Sequence, residues 1–265
     1  MTNPGMPANQ KGFTLLEVLV AVAIFTVICG AMFVLLNRSQ MQYQSEAQLL
    51  NSFQQARLGL DQIARDVNDA GYPPQNHFAV TPPGNLYANS PVAWSPNYPA
   101  AVCQIGTAGG GTCTSPTDFD VIFEGDVDGT GVKWIRYQLQ GTVLMRGVAN
   151  KVAGADPVAT TSAVGVMLPY VLQVMNNATL AQIAQFRAVY PAMFPGGIPV
   201  PIFQYNCDTQ TGPTLCQNAG ANNFPANVRD VEITLIVQTF QVDAQTGMPR
   251  LVELNGRGHR INPNQ

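Results

Sequence analysis

The chain has 265 residues, of which 11% are charged, and a formal net charge of −3. That length suits one domain plus a long helix, or two small domains. No basic patch of the kind that binds nucleic acid stands out, so direct nucleic-acid binding is not expected.

Residues 1–12 form a short polar leader. Lys11-Gly12-Phe13-Thr14-Leu15-Leu16-Glu17 then opens an apolar run from Phe13 to Leu36, 24 residues whose only ionisable side chains are Glu17 and Cys29. At about 1.5 Å per residue, a helix of that length spans the ~30 Å hydrocarbon core of a bilayer. It also satisfies its own backbone groups there, so residues 13–36 are expected to cross a membrane. Lys11 precedes the run and Arg38 follows it, so charge asymmetry orients it poorly. Glu17 is the anomaly, because a carboxylate in an apolar helix costs about a few kcal/mol unless protonated or paired. Either it snorkels to the headgroups or another chain supplies a positive partner. Gly12 is a minimal residue at the basic-to-apolar junction, and cleavage after it would free the Phe13 amine.

Gly12-Phe13-Thr14-Leu15-Leu16-Glu17 resembles the class III signal of type IV prepilins and type II secretion pseudopilins. The resemblance implies that a prepilin peptidase cuts between Gly12 and Phe13 on the cytoplasmic side and methylates the new Phe13 amine. It also implies that Glu17, the fifth mature residue, pairs with a neighbouring subunit's N-terminus during assembly. An ordinary secretory signal loses its apolar region on cleavage, whereas this one would keep it.

Past Leu36 the helical pattern continues. Leu49, Phe53, Ala56, Leu60, Ile63 and Val67 recur at steps of four and three, the stripe of an amphipathic helix over 37–71. Arg57, Asp61 and Arg65 support the polar side at i,i+4 spacing, and Ala70-Gly71-Tyr72-Pro73-Pro74 stops the helix. The stripe is expected to pack on a globular body; a coiled-coil seam is the alternative. The body, 72–265, should be β-rich with long loops, since the chain holds 24 Gly and 20 Pro.

Residues 72–117 show little periodicity and are expected to form an irregular excursion, with Trp94 and neighbouring tyrosines either in a small satellite core or serving surface adhesion. Strands begin at Asp118, where Phe119, Val121 and Phe123 alternate with Asp120, Ile122 and Glu124. A turn at 126–131, a return strand at 132–139, a second turn and a strand at 143–148 complete an antiparallel meander. Residues 166–175 form a strand candidate interrupted by Pro169. A short helix is expected at 180–190, strands at 202–205 and 228–242, and a late strand at 251–254 that leaves a polar tail with His259 and Arg260.

The five cysteines divide as one and four. Cys29 sits in the apolar run as a small packing residue. Cys103 and Cys113, and Cys207 and Cys216, lie ten and nine residues apart, and neither spacing is a CxxC metal or redox pattern. Local loops Cys103–Cys113 and Cys207–Cys216 are the preferred pairing outside the cytoplasm, although spacing leaves the other connectivities open.

The strand order extends the resemblance. Phe119 to Phe123, the Asp/Gly turn, Trp134 to Leu139 and Leu144-Met145-Arg146 look like the large minor pilins of the PilW class, and are also similar to J-type pseudopilins. Phe203-Gln204-Tyr205, Val228 to Leu235 and Gly256 to Arg260 are reminiscent of the same class. The resemblance implies an α+β, type IV pilin-like fold with a long N-terminal helix packed on an antiparallel β-sheet. Its implied partners are other minor pilins, the major pilin, prepilin peptidase, the inner-membrane assembly platform and a tip adhesin. The implied location is the bacterial inner membrane, single-pass with a cytoplasmic N-terminus, and later the pilus surface.

Asp126, Asp128 and Thr130, followed by Gly131, match the front half of a calcium loop. The back half is missing, because Tyr137 stands where a bidentate Glu should fall. A hairpin turn is therefore the first reading and a calcium ion the second. HExxH, GxSxG, P-loop and GxGxxG motifs are absent, and His77 and His259 are far apart, so neither catalysis nor a cofactor is expected. A periplasmic adhesin or enzyme that borrowed the anchor is the competing class.

Overall fold

The computed structural model describes residues 12, 14–106, 113–157, 165–243 and 246–260. The chain divides into two compact units, 1–47 and 48–265. One helix, α1 (Leu15–Asn68), contributes to both.

In the first unit the helix carries its apolar side chains outward; Leu15 is 84% exposed, Phe25 67% and Phe33 72%. No packing within the unit covers them. In the second unit α1 becomes the core element. Ala56, Leu60, Ile63 and Val67 of the expected stripe are buried, and Leu49 and Phe53 are half-buried. The helix stops as the Gly/Pro segment predicts. Gly71 takes the left-handed conformation (φ +88°), which an L side chain rarely adopts, and its N–H donates to Glu124 O at 2.8 Å.

The strands divide between two antiparallel sheets. The first has the order β1-β2-β3-β4-β5, with β1 Val92–Ala93, β2 Asp120–Gly125, β3 Lys133–Gln140, β4 Val143–Asn150 and β5 Leu168–Val171. The second has the order β7-β6-β8-β9, with β6 Phe203–Cys207, β7 Thr214–Leu215, β8 Val228–Val242 and β9 Pro249–His259. Val174 links them: it forms an antiparallel bridge with Val237, and its N–H donates to Thr142 O at 2.8 Å. The main core lies where α1 meets both sheets through Val121, Phe123, Ile135, Leu144, Val231, Ile233 and Leu235. Asp66 ties the helix to the first sheet, accepting from Tyr137 Oη at 2.6 Å and from Arg146 Nη2 at 3.1 Å. A helix α2 (Leu180–Val189), opened by a Thr179/Gln182 capping box, covers the other side of β8 with Ile183 and Phe186 around Ile236.

Three expectations need correction. The strand at 166–175 is confined to Leu168–Val171; past it Gln173 takes a φ of +59°, outside the extended region a strand needs. The late strand does not stop at 254 with a polar tail. It runs to His259, and Arg260 is buried, its Nη1 donating to Ala226 O and Val228 O. Gly256 and Gly258 permit this, because a Cβ there would lie 2.8 Å from Leu60 Cδ1 and 2.4 Å from Val67 Cβ. Finally, the alternation read at β2 is not one of core against solvent: Asp120 to Gly125 are all buried.

The excursion at 72–117 buries the second face of β2. Trp94, Tyr98 and Cys103 pack with Ile122 and Trp134 in a satellite core, one of the two uses the sequence left open for Trp94 and the tyrosines. Beneath it Glu124 accepts from Asn89 N (2.5 Å), Trp134 Nε1 (3.1 Å), Lys151 Nζ (2.6 Å) and the Tyr98 hydroxyl. Burial, with the Glu124 charge second, pushes the Tyr98 phenol far above its ordinary range and keeps it a donor. The disulfides are Cys103–Cys113 and Cys207–Cys216, with Cα separations of 5.0 and 4.8 Å. Asn223, just past the second, exchanges two 3.0 Å bonds with the backbone of Ile105 inside the first, so the stapled segments support each other.

Candidate functional site

The N-terminal junction is built by local rules. Thr14 precedes the first helical residue, and its N–H and hydroxyl each donate to Glu17 Oε2 at 3.0 Å. Glu17 N–H donates back to Thr14 Oγ1 at 3.3 Å. This reciprocal pattern is a capping box, which satisfies N–H groups that a helix start otherwise leaves orphaned. The Thr14-x-x-Glu17 spacing could have announced it from the sequence. Gly12 lies outside the helix and is exposed, and among the described residues no atom lies within 4 Å of where a Cβ would stand. Phe13, the expected cleavage and methylation residue, lies outside the described residues.

Glu17 therefore has a partner of its own, but not a cationic one among the described residues. It stands on a helix whose upper half is apolar on every side. By length and composition α1 can cross a membrane, and none of that apolar window is buried. Cys29 is exposed with a free thiol. So much uncovered apolar surface needs lipid or other chains to cover it.

The remaining predicted site residues are part of the scaffold. Asp126 Oδ1 accepts from Gly129 N at 2.8 Å, and Asp128 Oδ1 accepts from Thr130 N at 3.1 Å and Thr130 Oγ1 at 2.6 Å. Lys133 is ion-paired with the other Asp128 oxygen. The Lys133 and Thr130 hydrogen bonds hold the Asp128 carboxyl at about 2. One oxygen of Asp128 is thus committed to a lysine ammonium and the other to Thr130. Among the described residues no group of three or more His, Cys, Asp and Glu side chains is placed to hold a metal ion.

His259 pairs with the buried Asp230, which also accepts from Arg257 Nη2 at 2.7 Å. Burial pushes the Asp230 carboxyl up, but hydrogen bonds from His259 and Arg257 outweigh it and hold the group below the ordinary carboxylate range. A depressed folded-state pKa contributes stability above the unfolded value, and that stability is lost as pH falls through the folded value. Asp230→Asn should therefore cost about 1–3 kcal/mol at pH 7. Its thermal midpoint should converge on that of the wild type between about pH 5 and pH 1. A gap that stays constant over that range would show that Asp230 acts through shape alone.

A family model described as "Prokaryotic N-terminal methylation motif" matches residues 7–33. No curated protein and no solved structure matches the chain. The motif and the long apolar helix together support a type IV pilin-like protein, either pilin or pseudopilin, that is anchored in a membrane and is a substrate of prepilin peptidase.

Proposed function

We propose that the chain is a minor pilin of the PilW class, held in the bacterial inner membrane and then packed into, or capping and priming, a type IV pilus. The supporting observation is Glu17: a lone carboxylate at the start of an uncovered apolar helix, held by Thr14 and by no cation of its own chain among the described residues. In a lipid or helix-bundle environment a positive partner offsets the cost of that charge. The Phe13 amine of an adjacent subunit, freed by cleavage after Gly12 and then methylated, is that partner. The protein has no chemistry of its own in this role and no cofactor enters. Its contacts are with other minor pilins, the major pilin, the peptidase, the assembly platform and a tip adhesin.

Insertion depends on apolar length and assembly on charge, so the two should separate. Glu17→Leu should leave membrane-fraction abundance unchanged while reducing the amount recovered in sheared pili at least tenfold, the effect of roughly 1.4 kcal/mol. Assembled wild-type protein should begin at Phe13 on N-terminal sequencing. Recovery of Glu17→Leu in pili at the wild-type level would overturn the charge-pair mechanism. The second reading is a J-type tip pseudopilin of type II secretion, which the N-terminal segment and the strands of the body also resemble. A gene deletion scored for surface pili and for secreted enzymes separates these two roles.

A further inference from the structure

From Ala70 to Thr117 the chain carries no Asp, Glu, Lys or Arg, a stretch of 48 residues that would hold about five at the composition of the whole. Protein surfaces ordinarily keep such charges for solubility. The ion pair that this layer covers lies beneath it, since the side chains of Lys151 and Glu124 are 2% and 0% exposed. The layer thus brings no carboxylate, ammonium or guanidinium of its own to the surface.

Within it the chain from Pro74 to Ala88 closes on itself. Pro74 and Ala88 form a bridge, and Ala88 N–H donates to Pro73 O at 2.8 Å. Two further bonds fix the loop to the body: Gly71 N–H donates to Glu124 O at 2.8 Å, and Lys151 Nζ donates to Tyr87 O at 2.8 Å. Compact loops with adjacent ends are frequently functional. A single helical turn, Gln75–His77, follows the two prolines. It brings His77 edge-on to Tyr72, with ring centroids 5.6 Å apart, and edge-on to Phe78 at 5.4 Å. Tyr72 is 40% exposed, and Gln75, Asn76 and His77 are exposed as well. Two open rings therefore stand beside two open amides.

That combination fits a sugar. A neutral pyranose has an apolar C–H face, which an aromatic ring can cover. Its hydroxyl groups both donate and accept, as do the amides of Gln75 and Asn76. A charged ligand fits poorly, because its charge would be desolvated against a surface with no counter-charge. Protein hot spots favour Trp, Tyr and Arg in desolvated pockets, whereas these rings stand on an open loop and the layer has no arginine.

We propose that Tyr72, Gln75, Asn76 and His77 form a binding site for a neutral glycan. Its use rests on the pilin reading, which carries the loop to the cell surface; its chemistry does not.

The full chain in detergent is offered serum albumin carrying neutral galactose- or N-acetylglucosamine-terminated oligosaccharides, the same glycans capped with sialic acid, and bare albumin. The neutral conjugates should bind, and equally at about 0.05 M and about 1 M salt, since there is no ion pair to screen. Sialylated conjugates should bind more weakly and bare albumin not at all. His77→Ala, and Gln75→Ala with Asn76→Ala, should each weaken binding roughly tenfold, a difference of about 1.4 kcal/mol. His77→Phe keeps a ring and should lose less than His77→Ala. An unchanged thermal midpoint shows that each variant is folded. No binding of the neutral conjugates, binding that fades with salt, or indifference to both sets of substitutions would overturn the proposal. So would equal binding of bare albumin, which would make the loop a protein-docking surface. Recovery in sheared pili is scored separately, so a failed pilin reading and a failed glycan site give different results.

Discussion

Glu124→Gln should destabilise the body by about 3–5 kcal/mol, because it leaves the Lys151 ammonium buried without its counter-charge. The Lys151 side chain is 2% exposed and that of Glu124 0%, so water cannot replace the lost partner. Burial already draws the Lys151 pKa down against the pull of Glu124. Glu124 also bonds Tyr98 and the Asn89 backbone from the excursion, and Trp134 from β3. The substitution therefore loosens the 72–117 layer as well as the ion pair. The thermal midpoint of the detergent-solubilised chain should fall on the order of 10 °C. Replacing the pair together, as Glu124→Gln with Lys151→Met, should recover much of that loss, since the uncompensated charge is gone. A single variant within about 1 kcal/mol of the wild type would show that water reaches Lys151.

Gly258→Val should cost about 3 kcal/mol or more by forcing α1 off β9. Even the Cβ would lie 2.4 Å from Val67 Cβ and 2.5 Å from Val67 Cγ1. Val67 has no room to yield, because its β-branched side chain is confined to essentially one rotamer on a helix. Gly256 offers a graded comparison. A Cβ there meets the flexible end of Leu60, at 2.8 Å from Cδ1, so Gly256→Ala should be milder than Gly258→Ala. Val67→Ala should rescue Gly258→Ala in part. Equal midpoints for the two glycine variants would show that the helix shifts as a rigid rod and that neither close contact is local.

The N-terminal segment was the most legible part of the chain, because its physics is local. Apolar length, the lone Glu17 and the Gly12-Phe13 junction require no knowledge of the rest of the fold. The Thr14 cap is also local and its spacing is visible. The stripe from Ala56 to Val67 and the helix at 180–189 were legible for a related reason: each buries one face, and one-sided burial leaves a period in the sequence. The strand at 228–242 was legible by its Val, Ile, Thr and Phe content instead, since it is covered on both sides at Leu235, Ile236 and Val237. The short cysteine spacings favoured the two loops that form, since closing a short loop costs little entropy.

Tertiary structure decided what a period does not encode. In β2, Asp120, Ile122 and Glu124 have the spacing of a solvent face, yet they lie under a layer with no periodicity of its own. Trp94 and Tyr98 reach that face only because the chain from 72 to 117 folds back over it, and from this packing Glu124 acquires Lys151, 27 positions away. The late strand shows the same limit. Gly256 and Gly258 weaken any local signal for a strand, but α1 lies against them and needs the missing side chains for contact. The sequence by itself therefore determined the anchor, the helix stripe and the strand richest in β-branched residues. Which polar residues are buried, and why two glycines stand in a strand, was decided where distant segments meet, because burial is a property of the pair and not of either segment.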